Sequence, residues 1–167
     1  MEFIKANQSD LDEIMKIIEF AQLHFKNEGI DQWQDNYPNH KVISQDIENK
    51  NSYVFKLEGK IYGTAAIIFD GDENYDSIYN GKWLSNDKYA VIHRLAIDFK
   101  HRGTGIASMF LKNVEKLCRS KSIFSIKIDT HKDNIPMKNL LLKNGYSECG
   151  VIYLKDKSQR IAFEKLL

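Results

Sequence analysis

A glycine-bearing turn between a predicted strand and a predicted helix is the part of the sequence best suited to binding an anion. It reads Arg102-Gly103-Thr104-Gly105-Ile106-Ala107. The first turn of a helix carries backbone N–H groups without helical acceptors and lies at the positive end of the helix dipole. Glycines let such groups converge on a phosphate or pyrophosphate. The turn therefore predicts an anion-binding loop.

The spacing of this turn differs from two common phosphate-binding motifs. The P-loop ends in Gly-Lys-Ser/Thr, and the dinucleotide fingerprint needs G-x-G-x-x-G. This turn reads R-G-x-G-x-A. It follows the segment His93-Arg94-Leu95-Ala96-Ile97, which ends a run rich in β-branched and aromatic residues and is predicted to be a strand.

This strand and turn resemble the acetyl-CoA-binding core of the GNAT superfamily of N-acetyltransferases. The family signature is Arg/Gln-x-x-Gly-x-Gly/Ala, and Arg102, Gly105 and Ala107 match it. A second motif of the family is an Asn followed, after a helix, by Gly and an aromatic residue, and Asn134 and Gly145-Tyr146 match that motif. The resemblance spans roughly the second half of the chain and indicates a GNAT-type acetyltransferase.

The resemblance also implies which residues bind acetyl-CoA, the co-substrate of the family. The backbone groups of Leu95, Ala96 and Ile97 would hold the pantetheine arm as an added strand. The turn would bind the pyrophosphate through the N–H groups of Arg102, Gly103, Thr104, Gly105, Ile106 and Ala107. Asn134 would contact the pantetheine arm or a bound water, although Asn at this place is equally suited to capping a helix.

Transfer of an acetyl group from a thioester to an amine needs a deprotonated amine. An amine of the lysine type has an unperturbed pKa of about 10.4, so a general base near neutrality helps. His93 is the candidate base, because it lies two residues before Leu95 and therefore on the same face of the strand. The segment His-x-Leu-Ala-Ile also resembles the catalytic strand of the arylalkylamine-acetylating branch. The alternative is a histidine satisfied by neighbouring backbone groups.

The sequence departs from the family at the position of the general acid. Family members commonly place a tyrosine seven residues after the motif Asn, and here that residue is Leu141. Either another tyrosine substitutes or the thiolate, whose thiol has a pKa of about 8.5, leaves unassisted. The departure keeps open a non-catalytic acyl-CoA-binding or regulatory module on the same fold. A nucleotide-phosphate binder unrelated to CoA would fit the glycine turn but leaves Asn134 to Tyr146 unexplained.

The acceptor amine is predicted to bind at the loop after the first helix. Trp33 and Tyr37, flanked by Asp31 and Asp35, offer aromatic faces and carboxylates to a cation. The alternative is a surface loop pinned by its aromatic residues. The sequence leaves open whether the acceptor is a small molecule or a protein or peptide.

Composition limits the other function classes. The 167 residues carry 24 basic and 23 acidic side chains, a net charge of +1, so nothing favours bulk binding to nucleic acid or to an anionic membrane. No signal peptide or membrane-spanning stretch is recognisable, which predicts a cytoplasmic protein. Cys118 and Cys149 lack metal-ligand spacing and are predicted to be packing residues, and no metal is expected. The last two strands offer a surface for a homodimer.

The predicted elements place these residues in an α/β (α+β) fold. We expect a single mixed, mostly antiparallel sheet of about seven strands with about four helices on its faces, in one domain over residues 1–167. Periodicity and turn signals predict strands at 3–6, 52–57, 60–69, 89–97, 122–129, 148–154 and 160–166, and helices after Ser9, at 41–50, from 106 to 117 and at 134–144. The strand at 122–129 alternates in polarity, which predicts one buried face. Residues 70–88 are predicted to form a long polar loop.

Overall fold

The computed structural model describes all 167 residues, Met1–Leu167. Its elements are β1 (Glu2–Lys5), α1 (Leu11–Asn27), α2 (His40–Glu48), β2 (Ser52–Leu57), β3 (Lys60–Ile68), β4 (Ala90–Ile97), α3 (Ile106–Ser120), β5 (Ser125–Thr130), α4 (Ile135–Lys143), β6 (Ser147–Tyr153) and β7 (Gln159–Leu166). Number, type and order of the strands and α-helices confirm the predicted fold class. None of the helices is long and apolar enough to span a bilayer.

The strands form one seven-stranded sheet in the order β1-β2-β3-β4-β5-β7-β6. β1 with β2, β2 with β3, β5 with β7 and β6 with β7 are antiparallel pairs. β4 and β5 are parallel, with Ala90 opposite Ile126 and Val91 opposite Lys127. The sheet is therefore mixed and mostly antiparallel, as the sequence predicts.

Residue contacts divide the chain into two compact units, of which the first comprises residues 1–67 and 94–110. Its core is the apolar side of α1 and α2 packed with residues of the strands. The buried members are Ile14, Met15, Ile17, Ile18, Ile43, Ile47, Val54, Ile61 and Ala96. Burial of such side chains is the main favourable contribution to folding. The single domain predicted over 1–167 stays a prediction.

Two turns of the first unit follow from local residue chemistry. The hairpin between β2 and β3 turns at Glu58 and Gly59, both with positive φ (50° and 78°), which matches the twist of paired strands. A capped 3-10 turn, Gln8–Asp10, precedes α1. The Asn7 side chain accepts from the Ser9 N–H at 2.9 Å, and the Asp10 carboxylate accepts from the Asn7 N–H at 3.0 Å.

The second unit comprises residues 68–93 and 111–167. Here β5 is buried on both faces, so the prediction of one buried face is wrong. Ser125 is buried because its hydroxyl donates to Glu164 Oε1 at 2.6 Å. Lys127 is only 3% exposed because its ammonium lies over the rings of Trp83 and Tyr89, with Nζ 4.2 and 3.9 Å from their centroids. Burial lowers the pKa of Lys127, although the nearby carboxylates of Glu164 and Asp76 favour its charged form.

Candidate functional site

The predicted anion-binding turn leads directly into α3. Met109 donates to the carbonyl of Gly105 at 3.0 Å, so Gly105 stands at the helix start. The N–H groups of Gly105, Ile106 and Ala107 have no acceptor in the protein. Gly103 and Gly105 have φ of 76° and 86°, a region that glycine adopts readily. A Cβ at either glycine would meet no atom within 4 Å, so the space next to their Cα atoms is open.

The basic residues of the turn differ in the groups that their side chains contact. Arg102 is exposed, and its guanidinium carbon lies 5.3 Å from the ring centroid of Phe99. His101 contacts the Asp98 carboxylate through Nδ1 at 3.0 Å. Thr104 donates from its hydroxyl to the His101 carbonyl at 2.6 Å, which closes the turn. Arg102 is therefore exposed and stacked on Phe99, and its contact with an anion stays a prediction.

The predicted pantetheine-binding residues lie at the end of β4. The side chains of Leu95 and Ala96 are each 6% exposed. Ile97 packs on Gly63 of β3, where a Cβ would stand 2.7 Å from Ile97 Cδ1. These three side chains serve packing, so only their backbone could contact a ligand, as the resemblance implies.

Arg94, next to His93 in β4, forms a cluster that sequence reasoning missed. Its Nη1 donates to the hydroxyl of Tyr37 at 3.0 Å, and its Nε and Nη2 donate to Asp46. Burial opposes its charge, but Tyr37 and Asp46 outweigh burial and raise the pKa of Arg94. Asp46 lies 48 positions and Tyr37 57 positions before Arg94 in the sequence. Because only the tertiary fold brings them together, no sequence signal indicated the cluster.

The two predicted acceptor-binding residues occupy different surroundings. Tyr37 is 44% exposed and its hydroxyl accepts from Arg94. Trp33 is half-buried against the core of α1 and α2 and meets the Phe25 ring edge-on at 5.7 Å between centroids. Each therefore has a structural role, and acceptor binding by either residue stays a prediction.

His93, the predicted base, pairs with a carboxylate of the long loop. Its Nε2 lies 2.7 Å from Asp72 Oδ2. Asp72 Oδ1 accepts from the N–H and the side-chain amide of Asn74 at 2.8 and 2.9 Å. Burial acts to raise the pKa of Asp72, but the hydrogen bonds from His93 and Asn74 outweigh it, and the pKa lies below its ordinary value. Asp72 is therefore a carboxylate at neutral pH.

The long loop also lines an acidic cavity of about 850 Å³. Its walls carry the carboxylates of Asp70, Asp72, Glu73, Asp76 and Asp87, with Lys88 as the one basic side chain. Asp72 lines this cavity and also contacts His93, so the Asp72–His93 pair lies at the wall of the cavity. The prediction of a polar loop missed this cavity, although the segment DGDENYD gave a signal in its density of carboxylates.

Buried contacts hold this loop in place. The Tyr75 hydroxyl donates to Asp129 Oδ1 at 2.6 Å, and the Trp83 indole donates to the Tyr75 carbonyl at 2.9 Å. Burial and the neighbouring Asp129 raise the pKa of Tyr75. Tyr79 and Val151 exchange two backbone hydrogen bonds of 2.8 Å, which attach the loop to β6. The loop is thus ordered by packing and not only by its polar surface.

The second predicted motif surrounds α4. Asn134 caps this helix, since its Oδ1 accepts from the Met137 N–H at 3.2 Å, and its contact with a ligand stays a prediction. Leu141 is fully buried. Tyr146 is 3% exposed, burial raises its pKa, and its hydroxyl has no hydrogen-bond partner, so the ring serves packing.

Comparisons with known proteins agree with the fold and show the family. Residues 14–146 match the model of the Acetyltransferase (GNAT) family. Streptothricin acetyltransferase of Escherichia coli is 29% identical over 96 residues. That alignment covers 50% of this chain and 55% of the relative, so it spans about half of each protein.

Solved structures extend the similarity to nearly the whole chain. A GNAT-family acetyltransferase from Streptococcus agalactiae is 36% identical, with a TM-score of 0.90, and the match covers 99% of this chain and 95% of that one. A putative acetyltransferase from Staphylococcus aureus is 26% identical, with a TM-score of 0.75 and 99% of both chains covered. The PaiA N-acetyltransferase of Thermoplasma acidophilum, solved with coenzyme A, shares the fold at 16% identity, a TM-score of 0.71 and coverage of 99% and 98%.

Proposed function

Because this chain belongs to the GNAT acetyltransferase family, we propose that it transfers the acetyl group of acetyl-CoA to a primary amine. The observation that carries the proposal is the start of α3, where the N–H groups of Gly105, Ile106 and Ala107 lack protein acceptors. Such groups at a helix start suit a pyrophosphate, which acetyl-CoA carries. Arg102 adds a positive charge beside them. Because the chain belongs to this family, we expect the bound pyrophosphate to be that of CoA.

The pantetheine arm would then follow the end of β4. Backbone N–H and C=O groups of Leu95, Ala96 and Ile97 are the groups we assign to it, as in strand addition to a sheet. The side chains of these residues pack in the protein interior. Because this packing holds the strand in place, we expect the backbone to keep its position when the ligand binds.

The acidic cavity favours a cationic amine as acceptor. Five carboxylates and one lysine line the cavity, and one of the carboxylates, Glu73, is paired with Lys155. The walls therefore keep a negative charge, which attracts ammonium groups and repels acidic substrates. A volume of about 850 Å³ suits a small molecule or the end of a flexible side chain. We therefore propose a small cationic amine, or a lysine-like group of a peptide.

The chemistry needs one base and a leaving thiolate. His93 would take a proton from the ammonium group, and the freed nitrogen lone pair would attack the thioester carbonyl carbon. The tetrahedral intermediate would then expel the CoA thiolate, and the nitrogen, which still carries one proton more than an amide, would release that proton to solvent water. Leu141 is apolar and fully buried, so we assign no proton donor at its position, and the thiolate would leave as the anion.

Incubation with acetyl-CoA and a panel of amines tests the proposal. Mono-, di- and polyamines, a lysine peptide and a neutral alcohol would be compared by release of free thiol and by the mass of the product. We expect thiol release that depends on a cationic amine. Binding of CoA in calorimetry without thiol release for any amine would overturn the enzyme assignment and favour an acyl-CoA-binding module. Binding of ATP in preference to CoA would overturn both.

A further inference from the structure

We propose that Asp72 is a positioning residue that holds the His93 imidazole with its proton on Nε2, so that Nδ1 is the atom that accepts the proton of the amine. The inference rests on the proposed function, in which His93 is the base. Beyond that function, Nδ1 is assigned as the nitrogen that accepts the proton, and Asp72 as the side chain that fixes the tautomer.

The hydrogen bond between the two residues determines the tautomer. Asp72 Oδ2 and His93 Nε2 are 2.7 Å apart, and both side chains are mostly buried, with 15% and 18% exposed. An ionised carboxylate only accepts hydrogen bonds. The hydrogen in this contact therefore belongs to Nε2, and in the neutral ring the lone pair lies on Nδ1.

The carboxylate itself is held in place by its own turn. Asp72 caps the 3-10 turn Glu73–Tyr75, and its second oxygen accepts two hydrogen bonds from Asn74. The carboxylate is thus oriented by contacts that do not involve the histidine. This is what a residue needs in order to orient another side chain.

The rest of the surroundings leaves Nδ1 without a protein partner. The hydrogen bond to Asp72 is the one polar contact of the His93 ring in the structure. The titratable side chains that face the ring are Asp72 and Tyr75, whose ring centroid lies 6.0 Å from that of His93. Tyr75 cannot compete for Nδ1, because its hydroxyl is bonded to Asp129 at 2.6 Å.

The proton transfer balances with these roles. One N–H bond of the substrate ammonium breaks, its proton bonds to Nδ1, and the electron pair stays on the amine nitrogen. The ring becomes an imidazolium whose positive charge lies beside the Asp72 carboxylate. A neighbouring carboxylate stabilises such a cation without taking the proton, as in the aspartate of the serine-protease triad.

The test is Asp72→Asn, which keeps the shape but can offer an amide N–H to Nε2. The tautomer can be measured without substrate by two-bond ¹⁵N–¹H NMR of protein labelled with ¹⁵N in its histidine rings, at a pH high enough for the rings to be neutral. We expect Nε2–H in the parent protein and a shift toward Nδ1–H in the variant. With acetyl-CoA and an accepted amine, we expect kcat to fall by about 100-fold or more, with the KM for acetyl-CoA unchanged.

Asp76→Asn is the matched control, since it removes a carboxylate of the same cavity that has no hydrogen bond to His93. It should leave the His93 tautomer unchanged. Asp72→Glu, which restores an acceptor, should keep the Nε2–H form and serves if the Asn variant does not fold. A parent protein with Nδ1–H, or an Asn variant with the parent's tautomer and kcat, would overturn the role of Asp72. A parent protein that acetylates no amine would instead overturn the proposed function.

Discussion

Arg94 donates two parallel hydrogen bonds to Asp46, from Nε to Oδ2 and from Nη2 to Oδ1, each 2.7 Å long. The side chains are 11% and 12% exposed. Arg94 also has a φ of 56°, which is unusual for a residue other than glycine and more so within a strand. The bidentate pair is therefore a contact between α2 and the irregular point of β4.

Asp46→Ala should destabilise the protein strongly. Removing one partner of a buried pair leaves an uncompensated charge, which costs about 3–5 kcal/mol. Asp46→Asn, which keeps one acceptor, should cost less. Urea unfolding followed by circular dichroism measures both, with the exposed Asp31→Ala as control. Equal midpoints for Asp46→Ala and the parent protein would mean that the pair contributes nothing to stability.

Gly105→Glu should abolish binding of acetyl-CoA. The added carboxylate would lie beside N–H groups assigned to the pyrophosphate and would repel it. Each lost charge-assisted hydrogen bond is worth about 1.5–3 kcal/mol, so losing two implies a drop in affinity of at least about 100-fold. Isothermal titration calorimetry measures it. Gly59→Glu is a matched control, because Gly59 also has a positive φ (78°) and open space around a Cβ. Undiminished affinity in Gly105→Glu would refute the placement of the pyrophosphate.

His93→Ala should lower turnover by about 100-fold or more, since this is the usual contribution of a general base. It should also remove the inflection of the pH–rate profile that comes from the general base. Initial rates between pH 5.5 and 9 would show both effects. The control is His40→Ala, an exposed histidine at the start of α2. A profile that keeps its shape in His93→Ala would assign the ionisation to another group.

The contribution of the Asp72 carboxylate to the free energy of unfolding should be lost in acid. Its pKa in the folded protein lies below the ordinary value of 3.8, so the ionised carboxylate stabilises the fold above about pH 4. That contribution is lost as the pH falls through the folded-state pKa. The free energy of unfolding should therefore decline less steeply from pH 5 to pH 2 in Asp72→Asn than in the parent. Asp87→Asn, on the same cavity, is the control, and identical slopes in all three proteins would contradict the assignment.

Gly81→Ala should detach the long loop from β6. A Cβ at this position would lie 1.9 Å from the carbonyl oxygen of Cys149, and backbone atoms cannot yield that far. Overpacking costs about 1–3 kcal/mol, and the loop should move to relieve it. Hydrogen exchange at the amides of Tyr79 and Val151, which bond each other's carbonyls, should accelerate. Ser77→Ala in the same loop is the control, and unchanged protection in Gly81→Ala would disprove the clash.

Local chemistry was sufficient where a residue acts on its own neighbourhood. The glycine turn before α3 and the suitability of Asn134 as a helix cap were predicted, because caps and positive-φ turns depend on a few adjacent residues. The order of strands and helices followed from periodicity for the same reason.

Pairing across the sequence was decided only by the tertiary structure. Asp72 meets His93 over 21 positions and Asp46 meets Arg94 over 48, and nothing in either segment names its partner. The burial of Lys127 likewise depends on two aromatic rings that the loop brings over it. A charge can be buried wherever the fold supplies partners, so side-chain polarity alone misjudged that strand. The sequence determined the elements and the glycine turn before α3, while folding determined which charges meet, because ion pairs depend on distances in space that local periodicity does not encode.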